Sequence, residues 1–265
     1  MIFVFRELFE KFLWLVTIRK ERPHLWATLG DEDALDAYFS KADESLIARL
    51  KIELNGLIEI NTYLSENMSF PIAKRPVWLN RGVAYTPRTL VFTTSLGFKY
   101  YNVNYKDFYV PYPSLLKVAK SFKGLDHDIK LYKIWEYTVN LLRYVNDKKE
   151  DWRAPNLTNI IKYGDCEDGT ILFITLAGMC GIPSDSVFNA CGYFYKSNGE
   201  KFGHSYPIVK RADGLWYIFE TTLSSISGKR PKLFKGSNYD ASWGVHNWAY
   251  EGHIKGELND GKRQI

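Results

Sequence analysis

One stretch, residues 165–180, constrains the fold more than any other part of the sequence. Its apolar run ILFITLAGM predicts a helix that is buried on nearly all sides. Asp165 is expected to cap the start of this helix, with Asp168 as a short-chained version of the capping box. Gly181 stands where a left-handed C-terminal cap belongs, and Pro183 prevents the helix from continuing.

Strand-like segments follow this helix. Alternating runs cover residues 186–195, 204–210 and 215–221, with turn residues between them at Ser197-Asn198-Gly199 and Asp213-Gly214. Such turns between alternating runs predict antiparallel hairpins. One helix followed by a meander predicts an α+β domain, in which the buried helix packs on an antiparallel sheet.

The chain is expected to have four regions: a helical N-terminal region (1–70), a proline-interrupted strand and loop region (71–113), the α+β domain (114–227) and a C-terminal tail (228–265). The N-terminal stripe of apolar residues either packs on its own domain, which we prefer, or docks on a partner or membrane. The α+β domain is expected to begin with helices at 114–122 and 126–145. The tail is rich in glycine, lysine and aromatic residues and predicts no particular element.

Composition and charge exclude several classes of protein. Hydrophobic residues make up 46% and charged residues 25%, which excludes a disordered or fibrous chain. The net charge of +5 comes from scattered basic residues, so we expect no nucleic-acid partner.

The cysteines and the first residues bear on the compartment. Three cysteines are too few, and odd in number, for a disulfide framework, which favours a reducing compartment. Charged residues interrupt the opening apolar run, so no secretory signal is predicted, and the run from Phe12 to Ile18 is too short for a membrane span. We expect a cytoplasmic protein without membrane contact, or a virion-associated one if the source is viral.

Cys166, His204 and Glu220 form the candidate catalytic set. At a helix start, unpaired N–H groups and the macrodipole favour a thiolate at Cys166, although an isolated cysteine is more often a packed small residue. His204 stands at a strand start and can act as the base for this thiol. Glu220 lies one hairpin further on, where its carboxylate can accept the second ring N–H and set the tautomer. Together the three residues favour a functional site.

We expect no metal and no cofactor. A zinc site built on Cys166 and His204 lacks a second cysteine or histidine at ligand spacing. The sequence has neither a P-loop nor a dinucleotide-binding fingerprint. His246 and its neighbours in VHNWAYEGH are interpreted as loop or surface residues.

The segments GDCEDGTILFITLAGMCGIPSDSV, GHSYPIV and GLWYIFETT resemble the transglutaminase-like cysteine peptidase superfamily, in its archaeal, bacterial and viral branch with papain-like topology. The resemblance covers residues 152–223. It implies a papain/transglutaminase-like core in which Cys166 is the nucleophile, His204 the base and Glu220 the orienting acid. Many relatives have Asp where this chain has Glu220, and many have Trp where it has Tyr206.

The segment DWRAP also resembles the family and adds Trp152 to the site. Its ring is interpreted as a wall of the cleft, with an indole N–H donor to the oxyanion as the alternative. The backbone N–H of Cys166 is the other oxyanion donor. Asp165 and Asp168 are interpreted as capping residues, and Glu167 as a solvated residue at the cleft edge.

The sequence therefore predicts a Cys-His-Glu thiol enzyme that acts on peptide or isopeptide bonds through a thioester. Hydrolysis is preferred to transamidation, and the substrate is a protein or peptide. The alternative is a non-catalytic component of a larger assembly, such as a viral particle, that keeps the same fold. In that case the N-terminal region would supply contacts to assembly partners.

Overall fold

The computed structural model describes residues 79–80, 91–93, 99–101, 105–109, 111–146 and 151–254. The predicted N-terminal helical region lies outside these residues. The helices are α1 (Pro113–Ser121), α2 (His127–Leu141), α3 (Pro155–Ile161) and α4 (Cys166–Met179), with a 3-10 turn at Tyr105–Phe108. The strands are β1 (Leu79–Asn80), β2 (Val91–Thr93), β3 (Lys99–Tyr101), β4 (Arg143–Tyr144), β5 (Asp151–Arg153), β6 (Tyr163–Gly164), β7 (Val187–Tyr195), β8 (Lys201–Lys210), β9 (Trp216–Ile218), β10 (Lys232–Leu233), β11 (Gly244–His246) and β12 (Glu251–Ile254).

Seven strands form the main sheet, in the order β1-β12-β11-β7-β8-β9-β10, and every neighbouring pair is antiparallel. The predicted hairpins are confirmed, because Gly199 and Gly214 take the left-handed conformation at the two turns, with φ of 84° and 81°. Helices followed by this antiparallel sheet make the fold α+β, as the sequence predicted. Two small sheets, β3-β2-β5 and β4-β6, complete the described strands.

Helix α4 is the centre of the molecule. Every residue after Cys166, from Glu167 to Met179, is buried, because the helix lies between strands β7 and β8 on one side and helices α1, α2 and α3 on the other. Each fully buried Leu, Ile or Phe side chain in such a position contributes about 1.5–3 kcal/mol to folding. The expected all-round burial of this helix is confirmed.

The two ends of α4 differ from each other. At the C-terminal end, Gly181 has φ 82° and the Ile182 N–H donates to the Ala177 carbonyl at 3.0 Å, which confirms the left-handed cap. At the start, the Asp165 side chain makes no cap hydrogen bond, so that prediction is wrong. Asp168 does not complete a capping box either.

Asp168 bonds to Arg153 instead. Its carboxylate accepts the backbone N–H of Arg153 at 2.9 Å and pairs with the Arg153 guanidinium. A fully buried carboxylate needs an opposite charge, and charge-assisted hydrogen bonds to a guanidinium are stronger than one to a neutral N–H at a helix start. The residue therefore joins β5 to α4 rather than capping the helix.

Two further expectations need correction. Helix α2 ends at Leu141 rather than at residue 145, because the chain then pairs with the segment before α4: Arg143 N–H donates to the Lys162 carbonyl at 2.9 Å and Val145 N–H to that of Gly164 at 2.9 Å. The segment predicted as a separate tail contributes β10, β11 and β12 to the main sheet, so a boundary after residue 227 would cut through that sheet.

All three cysteines are free thiols, and Cys180 and Cys191 are buried. Helices in the described ranges are all too short or too polar to cross a bilayer.

Candidate active site

His204 and Glu220 are hydrogen-bonded to each other. His204 lies on β8, Glu220 lies just beyond the neighbouring strand β9, and the His204 Nε2 to Glu220 Oε2 distance is 2.8 Å. Each side chain is only 13% exposed. The structure thus brings these two residues together across the hairpin in the way that their spacing predicted.

The Glu220 carboxylate is held by four donors. Oε2 accepts from His204 and from the Tyr239 hydroxyl at 2.9 Å, and Oε1 accepts the Thr222 N–H at 2.9 Å and its hydroxyl at 2.7 Å. Burial raises the pKa of Glu220, but the bonds from His204 and Thr222 outweigh it and lower this pKa to about 2. The group is therefore an ionised acceptor. It favours the tautomer of a neutral His204 that is protonated on Nε2, which leaves Nδ1 able to accept a proton.

Cys166 is the first residue of α4 and lies beside the residue that follows His204. The Ser205 backbone lies close enough to the sulfur to oppose the rise in the pKa of Cys166, and the Thr170 hydroxyl bonds both the Cys166 carbonyl at 2.7 Å and the Ser205 carbonyl at 3.2 Å. The thiol itself donates to Glu167 Oε2 at 3.1 Å. No hydrogen bond joins this thiol to the imidazole of His204 in the structure.

The Cys166 thiol is protonated in this arrangement. Burial, followed by the charges of Glu167 and Asp165 and the bond to Glu167, raises the pKa of Cys166 well above its usual value. The expectation that the helix start stabilises a thiolate is therefore wrong. The helix dipole favours a thiolate in the first turn, but burial and two neighbouring carboxylates disfavour it more strongly.

Glu167 is buried rather than solvated, which corrects its interpretation as a residue at the cleft edge. Burial and the neighbouring Asp165 raise the pKa of Glu167 well above its usual range. Burial likewise raises the pKa of Asp168 to about 7, although Arg153 opposes this rise. Within the described ranges, no group of three or more His, Cys, Asp or Glu side chains is arranged to hold a metal ion.

Trp152 lies on β5 in an aromatic cluster. Its ring centroid is 4.8 Å from that of Phe108, 5.5 Å from that of Tyr105 and 5.9 Å from that of His246, on which it stacks. These contacts describe a packing role. Its buried indole Nε1 has no hydrogen-bond partner in the structure.

His246 is a buried residue of strand β11, which corrects its interpretation as a loop or surface residue. Its Nδ1 lies 2.7 Å from the Tyr109 hydroxyl and its Nε2 lies 3.5 Å from the sulfur of Cys191. Burial lowers the pKa of His246 to about 3, so the ring is neutral. The molecule therefore contains a second cysteine–histidine pair.

Two tyrosines belong to the site although nothing in the sequence pointed to them. Tyr144 on β4 is half exposed, and burial, followed by the charges of Cys166 and Asp165, raises its pKa to about 12, so its hydroxyl lies within electrostatic range of the thiol. Tyr239 bonds Glu220 from a segment far along the chain. Tyrosine is abundant in this chain, so its identity alone gave no signal.

No protein-family model matches the chain, and no curated protein matches it. Structures with some similarity include LapG of Legionella pneumophila, at 18% identity and a TM-score of 0.39 over 58% of this chain and 83% of LapG. LapG treated with EGTA gives 16% identity and a TM-score of 0.40 over 58% of this chain and 80% of that one. "A Putative Cysteine Protease from Cytophaga hutchinsonii" gives 20% identity and a TM-score of 0.35 over 50% of this chain and 47% of that one. These are distant, partial likenesses.

Proposed function

We propose that this protein is a thiol enzyme of the transglutaminase-like cysteine peptidase type that hydrolyses peptide or isopeptide bonds. Cys166 is its nucleophile, His204 its base and Glu220 the acid that orients the base. The observation that carries the proposal is the Glu220–His204 bond, 2.8 Å long and buried, next to Ser205, which the Thr170 hydroxyl ties to Cys166. A buried His–carboxylate pair beside a cysteine at a helix start is the arrangement that activates a thiol.

The reaction begins from the protonated thiol. With Nε2 bonded to Glu220, Nδ1 of His204 takes the proton of Cys166 as the sulfur attacks the carbonyl carbon of the scissile amide. The C–N bond then breaks, and the imidazolium gives this proton to the departing amine, which leaves a thioester on Cys166. Water, deprotonated by His204, attacks the thioester, and the carboxylic acid leaves with the thiol restored.

The oxyanion of each tetrahedral intermediate needs donors that point at it. The backbone N–H of Cys166, at the start of α4, belongs to the set that has no partner within the helix. The Trp152 indole N–H remains the second candidate, since it is buried and unpartnered. Tyr144, which is half exposed and within electrostatic range of the thiol, is the residue that we expect to contact the substrate chain.

The alternative function, a non-catalytic component of an assembly, is favoured by one observation. The Cys166 thiol is bonded to Glu167 rather than to His204, and its pKa is raised. A scaffold protein that keeps the fold would have no need to ionise this thiol. Contacts with assembly partners through the N-terminal region, and association with a virion, belong to this alternative.

Acyl transfer from p-nitrophenyl acetate tests the proposal, because this small activated ester needs no specificity pocket. The protein should release p-nitrophenolate with turnover and acquire one acetyl group on Cys166, seen by intact mass and peptide mapping. Cys166→Ala should reduce kcat/KM by at least about 100-fold, because no other thiol stands beside a His–carboxylate pair. Cys180→Ala removes a buried thiol elsewhere and serves as the matched control.

Each result separates the two functions. Unchanged turnover in Cys166→Ala would overturn the proposed nucleophile, and absence of any acetyl adduct on the wild-type protein would favour the scaffold. Adding a primary amine such as glycine methyl ester distinguishes the two reactions, because a transamidating enzyme would form the N-acetyl product in preference to acetate.

A further inference from the structure

A segment of the C-terminal region crosses the sheet over the candidate base. Residues 234–243 connect β10 to β11 and run from one side of β8 to the other. At one end the Phe234 N–H donates to the Trp216 carbonyl on β9 at 2.8 Å, and at the other end the Trp243 N–H donates to the Cys191 carbonyl on β7 at 3.0 Å. We call these residues the crossing segment.

Two glycines in the hairpin below make room for the crossing segment. Gly192 pairs with His204 across β7 and β8, and a Cβ at this position would lie 2.1 Å from the Asp240 carbonyl oxygen. A Cβ at Gly203 would lie 2.7 Å from the Trp243 ring. Any larger residue at Gly192 would therefore push the segment away from the sheet, because the atom it meets belongs to the backbone.

Asp240 anchors the segment at this place. Its Oδ1 accepts the Tyr193 N–H at 2.9 Å, its Oδ2 accepts the Tyr195 hydroxyl at 2.7 Å, and its own N–H donates to the Tyr193 carbonyl at 2.9 Å. These bonds, from the Tyr195 side chain and the backbone of β7, lower the pKa of Asp240 against the effect of burial, so that it stays ionised. The neighbouring Tyr239 is consequently held over β8.

Tyr239 lies against the His204–Glu220 pair. Its ring centroid is 5.9 Å from that of His204, and its hydroxyl donates at 2.9 Å to Glu220 Oε2, the same oxygen that His204 bonds. Burial, followed by the Glu220 charge, raises the pKa of Tyr239, so the phenol keeps its proton and remains a donor. Two donors on one oxygen fix the carboxylate in the orientation that the imidazole needs.

We propose that Tyr239 is a positioning residue of the active site, and that the crossing segment exists to hold it there. This inference rests on the proposed function. Tyr239 acts through Glu220: its hydroxyl stops the carboxylate from turning away from Nε2, and its ring restricts the imidazole. Because Tyr239 is buried against the His204–Glu220 pair, it contributes to the reaction rather than to substrate binding.

Kinetics of Tyr239→Phe with p-nitrophenyl acetate test the inference. We expect kcat to fall about tenfold, which corresponds to about 1.4 kcal/mol, with KM unchanged. The acid limb of the kcat profile should also move to higher pH, because Glu220 loses one of the donors that stabilise its charged form. If Tyr239 had only a structural role, its replacement would not move the acid limb of the kcat profile and would not lower kcat selectively over KM.

The matched control is Tyr206→Phe. Tyr206 packs in the same aromatic cluster, with its ring centroid 4.9 Å from that of Tyr239, but its buried hydroxyl has no hydrogen-bond partner. Removing this hydroxyl should leave kcat within about twofold. A second variant, Gly192→Ala, should reproduce the kcat loss of Tyr239→Phe, because its new Cβ meets the Asp240 backbone and displaces the crossing segment.

A readout that needs no activity separates failure of the inference from failure of the proposed function. The ¹⁵N shifts of the His204 ring should report an Nε2-protonated tautomer in the wild type and a mixture in Tyr239→Phe. If the wild type turns over and Tyr239→Phe matches it in kcat, pH profile and tautomer, the inference is overturned and the function stands. If the wild type forms no acyl adduct, the function fails, and the tautomer ratio alone decides whether Tyr239 orients the imidazole.

Discussion

Two cysteines, Cys166 at the start of α4 and Cys191 on β7, lie near histidines of the main sheet, and their surroundings differ. In the first, His204 is bonded to an ionised carboxylate and Cys166 is partly accessible at the start of a helix. In the second, His246 lies 3.5 Å from the sulfur of Cys191, but its other nitrogen meets the neutral Tyr109 hydroxyl and every member is buried. A direct thiol–imidazole hydrogen bond is present in the second pair, where no acid bonds the histidine, and it is not present in the first.

Proximity of a thiol and an imidazole is therefore a poor guide to whether the thiol can react. A histidine without a carboxylate partner, sealed among aromatic rings, has no stabilised imidazolium form, and a reaction needs that form. The Cys191 pair therefore belongs to the core. The Cys166 pair has the carboxylate and partial access, and it lacks a direct bond between thiol and imidazole.

The largest expected effect concerns the stability of the fold and the buried pair of His246 and Cys191. The pKa of His246 lies at about 3, below the ordinary value of 6.5, so the unfolded chain takes up a proton first as pH falls. The free energy of unfolding is therefore highest above about pH 6.5 and falls by up to about 5 kcal/mol as the pH is lowered to about 3. Urea unfolding at several pH values should show that His246→Gln flattens this dependence, whereas Cys191→Ala, which keeps the imidazole, should retain it. An unchanged slope in His246→Gln would mean that the histidine is charged in the folded state.

The next effect concerns catalytic activity and the pair formed by Cys166 and His204. Glu220→Gln replaces an ionised acceptor with a neutral amide, so the imidazolium that forms during the reaction loses its counter-charge. We expect kcat to fall about 100-fold with p-nitrophenyl acetate, equal to about 2.7 kcal/mol. Tyr109→Phe removes the corresponding partner of His246 and should leave kcat within about twofold. Equal losses in the two variants would contradict the division between a reacting pair and a structural pair.

Local chemistry accounts for what the sequence could predict. Short stretches of sequence encode the buried helix, its glycine cap and both hairpin turns. The approach of Glu220 to His204 also follows from local sequence, because a single hairpin separates the two residues. The environment of Cys166 could not be predicted in this way, because it depends on how deeply Glu167 is buried. Tyr239 and His246 escaped prediction for a related reason: their roles depend on strand pairings between segments far apart in sequence, which no local pattern encodes.

The smallest effect concerns the hydrogen bond that the Cys166 thiol makes to Glu167 rather than to His204. After burial, the charge of Glu167 is the largest cause of the raised pKa of Cys166, so Glu167→Gln should lower this pKa and leave the backbone unchanged. Alkylation by iodoacetamide at neutral pH should then become several-fold faster at Cys166, because the thiolate is the reacting form. Cys191, buried in both proteins, provides the internal control and should remain unlabelled until the protein unfolds.

The opposite result is equally informative. If Glu167→Gln alkylates more slowly than the wild type, Glu167 is accepting the thiol proton and not merely repelling the thiolate, and the base of the first step would be a carboxylate. His204 would then serve only the later proton transfers. The two assignments differ in the pH at which alkylation accelerates, so a rate profile of both proteins distinguishes a repelling neighbour from a base.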